Sequence, residues 1–198
     1  MSFKVFGIKF IISVPFAVMI AFLLLMDSTG LMSASLLAIT MHEAGHVFAM
    51  KLVKCPPVEI KFGIGGISMI GYSFSSFSEN MVVSLSGPLS NLLLFLILWC
   101  VGILSDCYEI LVFAAVQLLV GTVNLLPVKG LDGGTVLKLM LYKFTKCNVD
   151  LVCNIISIVF ACSMLVLGLA VAVKNVSNPS LLLLAIYIII MNISKFNY

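Results

Sequence analysis

Residues 31–53 read LMSASLLAITMHEAGHVFAMKLV, with His42, Glu43 and His46 in the middle of an otherwise mainly apolar run. On a helix, positions i and i+4 share a face, so the two imidazoles can bind one ion. Glu43 sits beside them, where it can act on water activated by a metal. The chain has two histidines, and both fall in this H-E-x-x-H pentapeptide. A chance match at this composition is expected in roughly one chain in a few thousand. Ionisable groups this deep in an apolar run line a cavity or have a partner. One Zn²⁺ ion would be such a partner. The competing reading is a polar helix–helix contact with Glu43 protonated and both histidines neutral.

Around that stretch, the 198-residue chain is 62% hydrophobic and 10% charged, with a mean hydropathy of +1.25. Soluble domains carry about a quarter charged residues and keep a mixed surface. The composition therefore excludes an ordinary soluble enzyme, a disordered regulator and a nucleic-acid-binding domain. About 20 apolar residues cross the hydrocarbon core as a helix. The expectation is an all-α polytopic membrane protein of about six spans, at 8–26, 31–53, 81–104, 110–128, 151–173 and 178–194. All 11 basic residues are lysine, and with the N-terminus inside only Lys174 falls in an outer loop. That distribution obeys the positive-inside rule, and both termini are expected on the cytoplasmic side. The first run follows Lys4 and Lys9 but lacks a small-x-small cleavage site, so it is read as a retained helix. The six cysteines contain no C-x-x-C pair, so neither a disulfide framework nor a cysteine zinc site is expected. Abundant Ile, Lys and Asn without Arg suggests an AT-rich bacterial source and a bacterial cell membrane.

Two gaps separate the spans. In the first, Val58, Ile60, Phe62 and Ile64 alternate with other residues before a run of glycines, which predicts a short β-hairpin between the second and third helices. In the second, residues 135–146 read as a short helix along the membrane surface, with Lys138, Tyr142, Lys143 and Lys146 on one face.

Catalytic zinc needs a third protein ligand and an open position. Asp27, Asp106 and Glu109 fall in outer loops, and Glu59, Glu79 and Asp150 lie in inner loops or at their edges. Asp132 stands in residues 124–134, NLLPVKGLDGG, where Pro127, Gly130, Gly133 and Gly134 break the fourth helix. Irregular backbone at membrane depth lines a cavity or is buried in protein. Asp132 can therefore turn toward the second span, or it can simply N-cap the next helix. Spacing leaves both open.

Three pieces together resemble the site-2 proteases, a family of intramembrane zinc metalloproteases. They are the pentapeptide at 42–46, Asn124-x-x-Pro127 with Leu131-Asp132-Gly133-Gly134, and Gly87-Pro88-x-x-Asn91 between them. The matching region covers about 30–135, a three-helix catalytic core, with 8–26, 151–173 and 178–194 as additional helices. The resemblance implies that His42, His46 and Asp132 bind zinc and that Glu43 is the catalytic glutamate. Six spans with a cytoplasmic-side site are most similar to the branch containing the stage IV sporulation protease FB. Other members carry CBS or PDZ domains, for which residues 1–198 have no room, so a single integral membrane domain is expected.

The expected function is hydrolysis of a peptide bond in or near a transmembrane segment of a membrane-embedded or membrane-attached protein. Such a segment must unwind, because its carbonyls are already hydrogen-bonded. The strand from Val58 to Ile64, including Phe62, Gly63 and Ile64, could receive it by strand addition, or it could be a hairpin that only plugs the cavity. Asn91 and Asn124, amides in apolar runs, could hold the substrate backbone or an oxyanion, or they could join helices. A zinc or proton transporter and a catalytically inactive binding protein are the alternatives. The outer halves of the spans lack the ionisable residues a transporter needs, and a binding protein would not require Glu43.

Overall fold

The computed structural model describes residues 1–5, 7–63, 66–70, 74, 76–145 and 148–174. The expected span 178–194 and Ile64 lie outside these residues. The chain opens with strands β1 (Ser2–Val5) and β2 (Ile8–Ile12), then helices α1 (Val14–Leu25) and α2 (Leu31–Leu52). Strands β3 (Glu59–Gly63) and β4 (Gly66–Ile70) follow, and then α3 (Phe77–Ser105), α4 (Tyr108–Asn124), α5 (Asp132–Phe144) and α6 (Val149–Lys174). Contacts divide the chain into two compact units, one ending at Val123 and one beginning at Asn124.

The run 8–26 is therefore not one helix. Ser13 marks the change: its Oγ accepts the Phe16 N–H, and a proline follows in the first turn. Both features start a helix, and the β-branched and aromatic residues before them pair as strand. The 12 residues left to α1 rise about 18 Å, short of the ~30 Å hydrocarbon core.

Nor is the fold all-α with a lone hairpin. The four strands form one sheet in the order β1-β2-β3-β4. The outer pairs are antiparallel, while β2 and β3 run parallel. A parallel pair needs a long crossover, supplied here by α1 and α2. Phe3, Phe10, Ile60 and Met69 align across the sheet, and Lys4, Lys9, Glu59 and Ile70 form the next row. One face is thus apolar and the other carries charge. On the charged face, the Lys61 ammonium lies 3.1 Å from Glu59 and Lys9 lies 3.4 Å from it. These lysines, Lys61 chiefly, hold the Glu59 carboxyl below its usual range.

Helix α3 begins with a reciprocal cap: Ser76 Oγ accepts the Glu79 N–H, and the Glu79 carboxylate accepts the Ser76 N–H. Among the described residues, α3 and α6 are long and apolar enough to cross a membrane. Only 22% of each apolar window is buried, and Leu93, Leu96, Trp99 and Leu104 on α3 face outward. A soluble protein does not leave so large an apolar surface in water. Against hydrocarbon it needs no cover.

Candidate metal centre

Helix α2 presents two working faces. Ala38, His42, His46 and Ala49, spaced by three or four residues, are buried, and α3 packs on this side. The backbones come close where glycine permits it: a Cβ on Gly45 would lie 2.8 Å from the Ser86 carbonyl oxygen. A Cβ on Gly87 would run into His46 Nε2 and lie 2.8 Å from His42 Nε2. The missing side chain of Gly87 is thus the space in front of both imidazoles.

Hydrogen bonds fix the two rings. His46 Nδ1 lies 2.8 Å from the Val83 carbonyl oxygen, which can only accept, so Nδ1 carries the proton. His42 Nδ1 lies 2.8 Å from Asn91 Oδ1. Asn91 Nδ2 donates to the Ala38 carbonyl at 3.0 Å, so the amide oxygen must be the atom facing His42. Both rings therefore turn their basic Nε2 inward. These two atoms stand 3.2 Å apart, and the rings meet at 80°.

Two lone pairs at that distance repel unless a cation lies beside them. Two nitrogens on a tetrahedral zinc, with bonds of about 2.0–2.1 Å, are separated by about 3.3 Å. The donor types, their separation and the outer hydrogen bonds at Nδ1 all fit a zinc ligand pair.

Glu43 is half-buried on the other working face of α2. There, with Thr40, Val47 and Phe48, it lines an apolar groove of about 330 Å³ whose opposite wall includes Phe62, Ile67 and Met69. Phe62 also packs on Phe16, with ring centroids 5.8 Å apart. The backbone of β3 is not open to strand addition, however. Phe62 pairs with Ile12 on one side and Ile67 on the other, and its carbonyl also accepts the Ser13 N–H. Gly63 pairs with Gly66. The strand expected to receive a substrate is an inner one, because the N-terminal segment, read as helix, supplies β2. Among the described residues, the sheet edge beside the groove is β4.

Asn91 is fully buried. Its Oδ1 serves His42, and its two N–H groups go to the Ala38 carbonyl and to Gln117 Oε1, 2.6 Å away. With both donors used, it orients a histidine and joins helices instead of contacting a substrate.

The second unit holds Asn124 and Asp132. Asn124 ends α4, and the chain then runs irregularly to α5. A Cβ on Gly133 would strike the Leu125 carbonyl, and one on Gly134 the Val128 carbonyl. The glycines thus allow the segment to lie directly on the start of α5. Val128 and Ala161 form the small core beneath. Ser157 Oγ accepts the Lys129 N–H at 2.8 Å and donates to the Cys153 carbonyl, and Asn154 Oδ1 accepts from Lys129 Nζ at 3.1 Å. Ser157 and Asn154 thus pin this segment.

Asp132 lies in the first turn of α5, after Leu131, and the start of that helix has no side-chain cap. The N-cap reading of Asp132 is not what the helix uses. Asp132 instead lines a polar cavity of about 320 Å³, with Lys129, Lys138, Asp150 and Asn154. Lys138 and Tyr142 both bind the Asp150 carboxylate, at 2.7 and 3.0 Å.

Gln117 and Val83 were missed in the sequence. Gln117 offered the same signal as Asn91, an amide inside an apolar run. Val83 acts through its backbone and offered none.

No family model matches the sequence, and no curated protein matches it. Among solved structures, the Site-2 Protease from Methanocaldococcus jannaschii is similar over 100% of this chain and 95% of that one, at 20% identity and a TM-score of 0.68. The likeness covers essentially the whole length of both proteins, and the chain has the fold of a site-2 protease.

Proposed function

We propose that this chain is an intramembrane zinc endopeptidase that cleaves a membrane-embedded or membrane-attached protein in or near a transmembrane segment. His42, His46 and Asp132 hold the ion, and Glu43 moves the proton. The observation that carries the reading is the pair of Nε2 atoms 3.2 Å apart on rings held at Nδ1. Asp132 as third ligand is supported by the order of the sequence motifs and by its position in a helix start that does not use it as a cap. The fold likeness supports a peptidase over a transporter.

Zinc held there supplies Lewis acidity, making water more acidic and a peptide carbonyl more electrophilic. Glu43 takes a proton from the attacking water and delivers it to the leaving amine. Asn91 and the Val83 carbonyl keep the imidazoles in the ligating tautomer. The apolar groove beside Glu43 takes an extended, apolar stretch of chain, which pairs with the edge of β4. Asn124, at the end of α4 beside the irregular segment, holds the substrate backbone or the oxyanion. The polar cavity lined by Asp132 lets water in from the cytoplasmic side, the side that the lysines assign to both termini.

The test is Glu43→Gln, co-expressed with a panel of single-span membrane proteins. Cleavage seen with the wild type should fall by about 10²-fold or more, while zinc content per purified chain stays unchanged. Normal cleavage by the variant would remove Glu43 from the mechanism. Zinc flux into sealed vesicles without cleavage would replace the peptidase reading with transport.

A further inference from the structure

Helix α4 carries one buried face made of Ala114, Gln117 and Gly121. The small residues let it approach α3 closely: a Cβ on Gly121 would lie 3.1 Å from Asn91 Cβ and 3.3 Å from the Pro88 carbonyl oxygen. Small residues commonly allow such approach between membrane helices. One turn before Gly121, this approach brings Gln117, whose exposure is 0%, against Asn91. Gln117 Oε1 accepts from Asn91 Nδ2 at 2.6 Å, and Asn91 Oδ1 accepts from His42 Nδ1 at 2.8 Å.

The chain of bonds has a fixed direction. The Ala38 carbonyl makes the nitrogen of Asn91 the atom on that side, so Gln117 must offer its oxygen to Asn91. Its Nε2 is then left buried with no hydrogen-bond partner among the described residues. An unmade bond of this kind costs about 1–3 kcal/mol. Turning the amide over would set donor against donor at Asn91. A leucine would fill similar space without that cost, so packing alone does not account for glutamine here.

We propose that Gln117 is a positioning residue of the metal centre: through Asn91 it holds His42 in the tautomer whose Nε2 faces His46. The proposal rests on the metal-binding reading of His42 and His46. Gln117 touches neither ion nor substrate.

The test uses full-length protein in detergent, titrated with Co²⁺ and followed by its visible absorption. Gln117→Leu removes the acceptor and should weaken cobalt binding by roughly threefold to tenfold, at or below the low end of the losses seen when outer partners of metal ligands are removed. Its metal-free melting temperature should be no lower than that of the wild type, because the orphaned donor is gone. Gln117→Met is the second apolar variant, should the leucine pack badly. Gln117→Glu, which keeps an acceptor oxygen as the neutral acid, should restore the affinity. Unchanged cobalt binding in the leucine and methionine variants overturns the proposal, as does a weakening that glutamate does not rescue.

A second readout separates this from the function itself. In metal-free protein with ¹⁵N-labelled histidine, Gln117→Leu should raise the population of His42 protonated at Nε2. If the wild type takes up no cobalt, the proposed function fails. The tautomer populations then decide on Gln117 alone, and unchanged populations refute it.

Discussion

Gly87 does its work by lacking a side chain. A methyl group there would press on His46 Nε2 and sit 2.8 Å from His42 Nε2, in the space where the ion would lie. Alanine is the better helix former by about 1 kcal/mol, so Gly87→Ala should leave α3 intact or firmer while the rings are pushed apart. The expected outcome is loss of zinc from the purified protein, measured as metal per chain, with helix content by circular dichroism unchanged. Full zinc occupancy in the variant would show that the space before the rings is not the ion's. At this scale much was legible: the i, i+4 histidines and the adjacent glutamate announce themselves in any helix. The reason for glycine at 87 was not, because it depends on rings 41 and 45 positions away.

Among the elements, α2 carries the centre, and its start is tied down from outside the helix. Its N-cap is Gly30, which has no side chain to cap with. Asp27 supplies the missing acceptor: its carboxylate takes the Ser33 N–H at 2.9 Å and the Ser33 hydroxyl at 2.8 Å. The backbone bond from Ser33 is the main reason its pKa falls from 3.8 to about 2. A carboxyl whose pKa falls on folding stabilises the native state above its ordinary value, and that contribution disappears as pH drops through the folded value. Asp27→Asn should therefore melt below the wild type at neutral pH, with the gap closing as pH falls from about 4 toward 2. A gap independent of pH would mean that the charged carboxylate is not what holds the helix start.

The segment 8–26 is apolar apart from Lys9 and Ser13, so hydrophobicity could not divide strand from helix. The division is marked only by the start signal at Ser13 and Pro15, inside that long run. Without β2 in the sheet, β3 reads as an edge strand; with it, β3 is an inner one.

For the molecule as a whole, Asp132 is the proposed third ligand, 86 positions along the chain from His46. Removing the aspartate should therefore reduce metal affinity and coupled stability together. Asp132→Ala is expected to weaken zinc binding by more than the roughly 10–100-fold that outer partners contribute. Added zinc should raise the melting temperature of the wild type more than that of the variant, because a ligand that binds only the native state stabilises it more the tighter it binds. Equal zinc affinity and equal shifts would take Asp132 out of the ligand set. The membrane setting was readable from composition. The lengths of individual helices were not, since α1 and α4 stop at 12 and 17 residues.

The amino-acid sequence by itself determined the chemistry on offer: two imidazoles one turn apart, a glutamate between them, and an aspartate beside glycines and a proline. It also determined the solvent, because a chain with one charged residue in ten cannot cover its apolar surface in water. Only the tertiary structure decided which nitrogen of each ring faces inward, that Asn91 and Gln117 stand behind His42, and that, among the described residues, β3 is an inner strand and β4 an edge. Periodicity and spacing act within a turn or a strand, where covalent geometry dictates which residues are neighbours. Tautomers, outer hydrogen bonds and sheet edges depend on groups tens of residues apart, and only the packing of whole helices and strands brings those groups together.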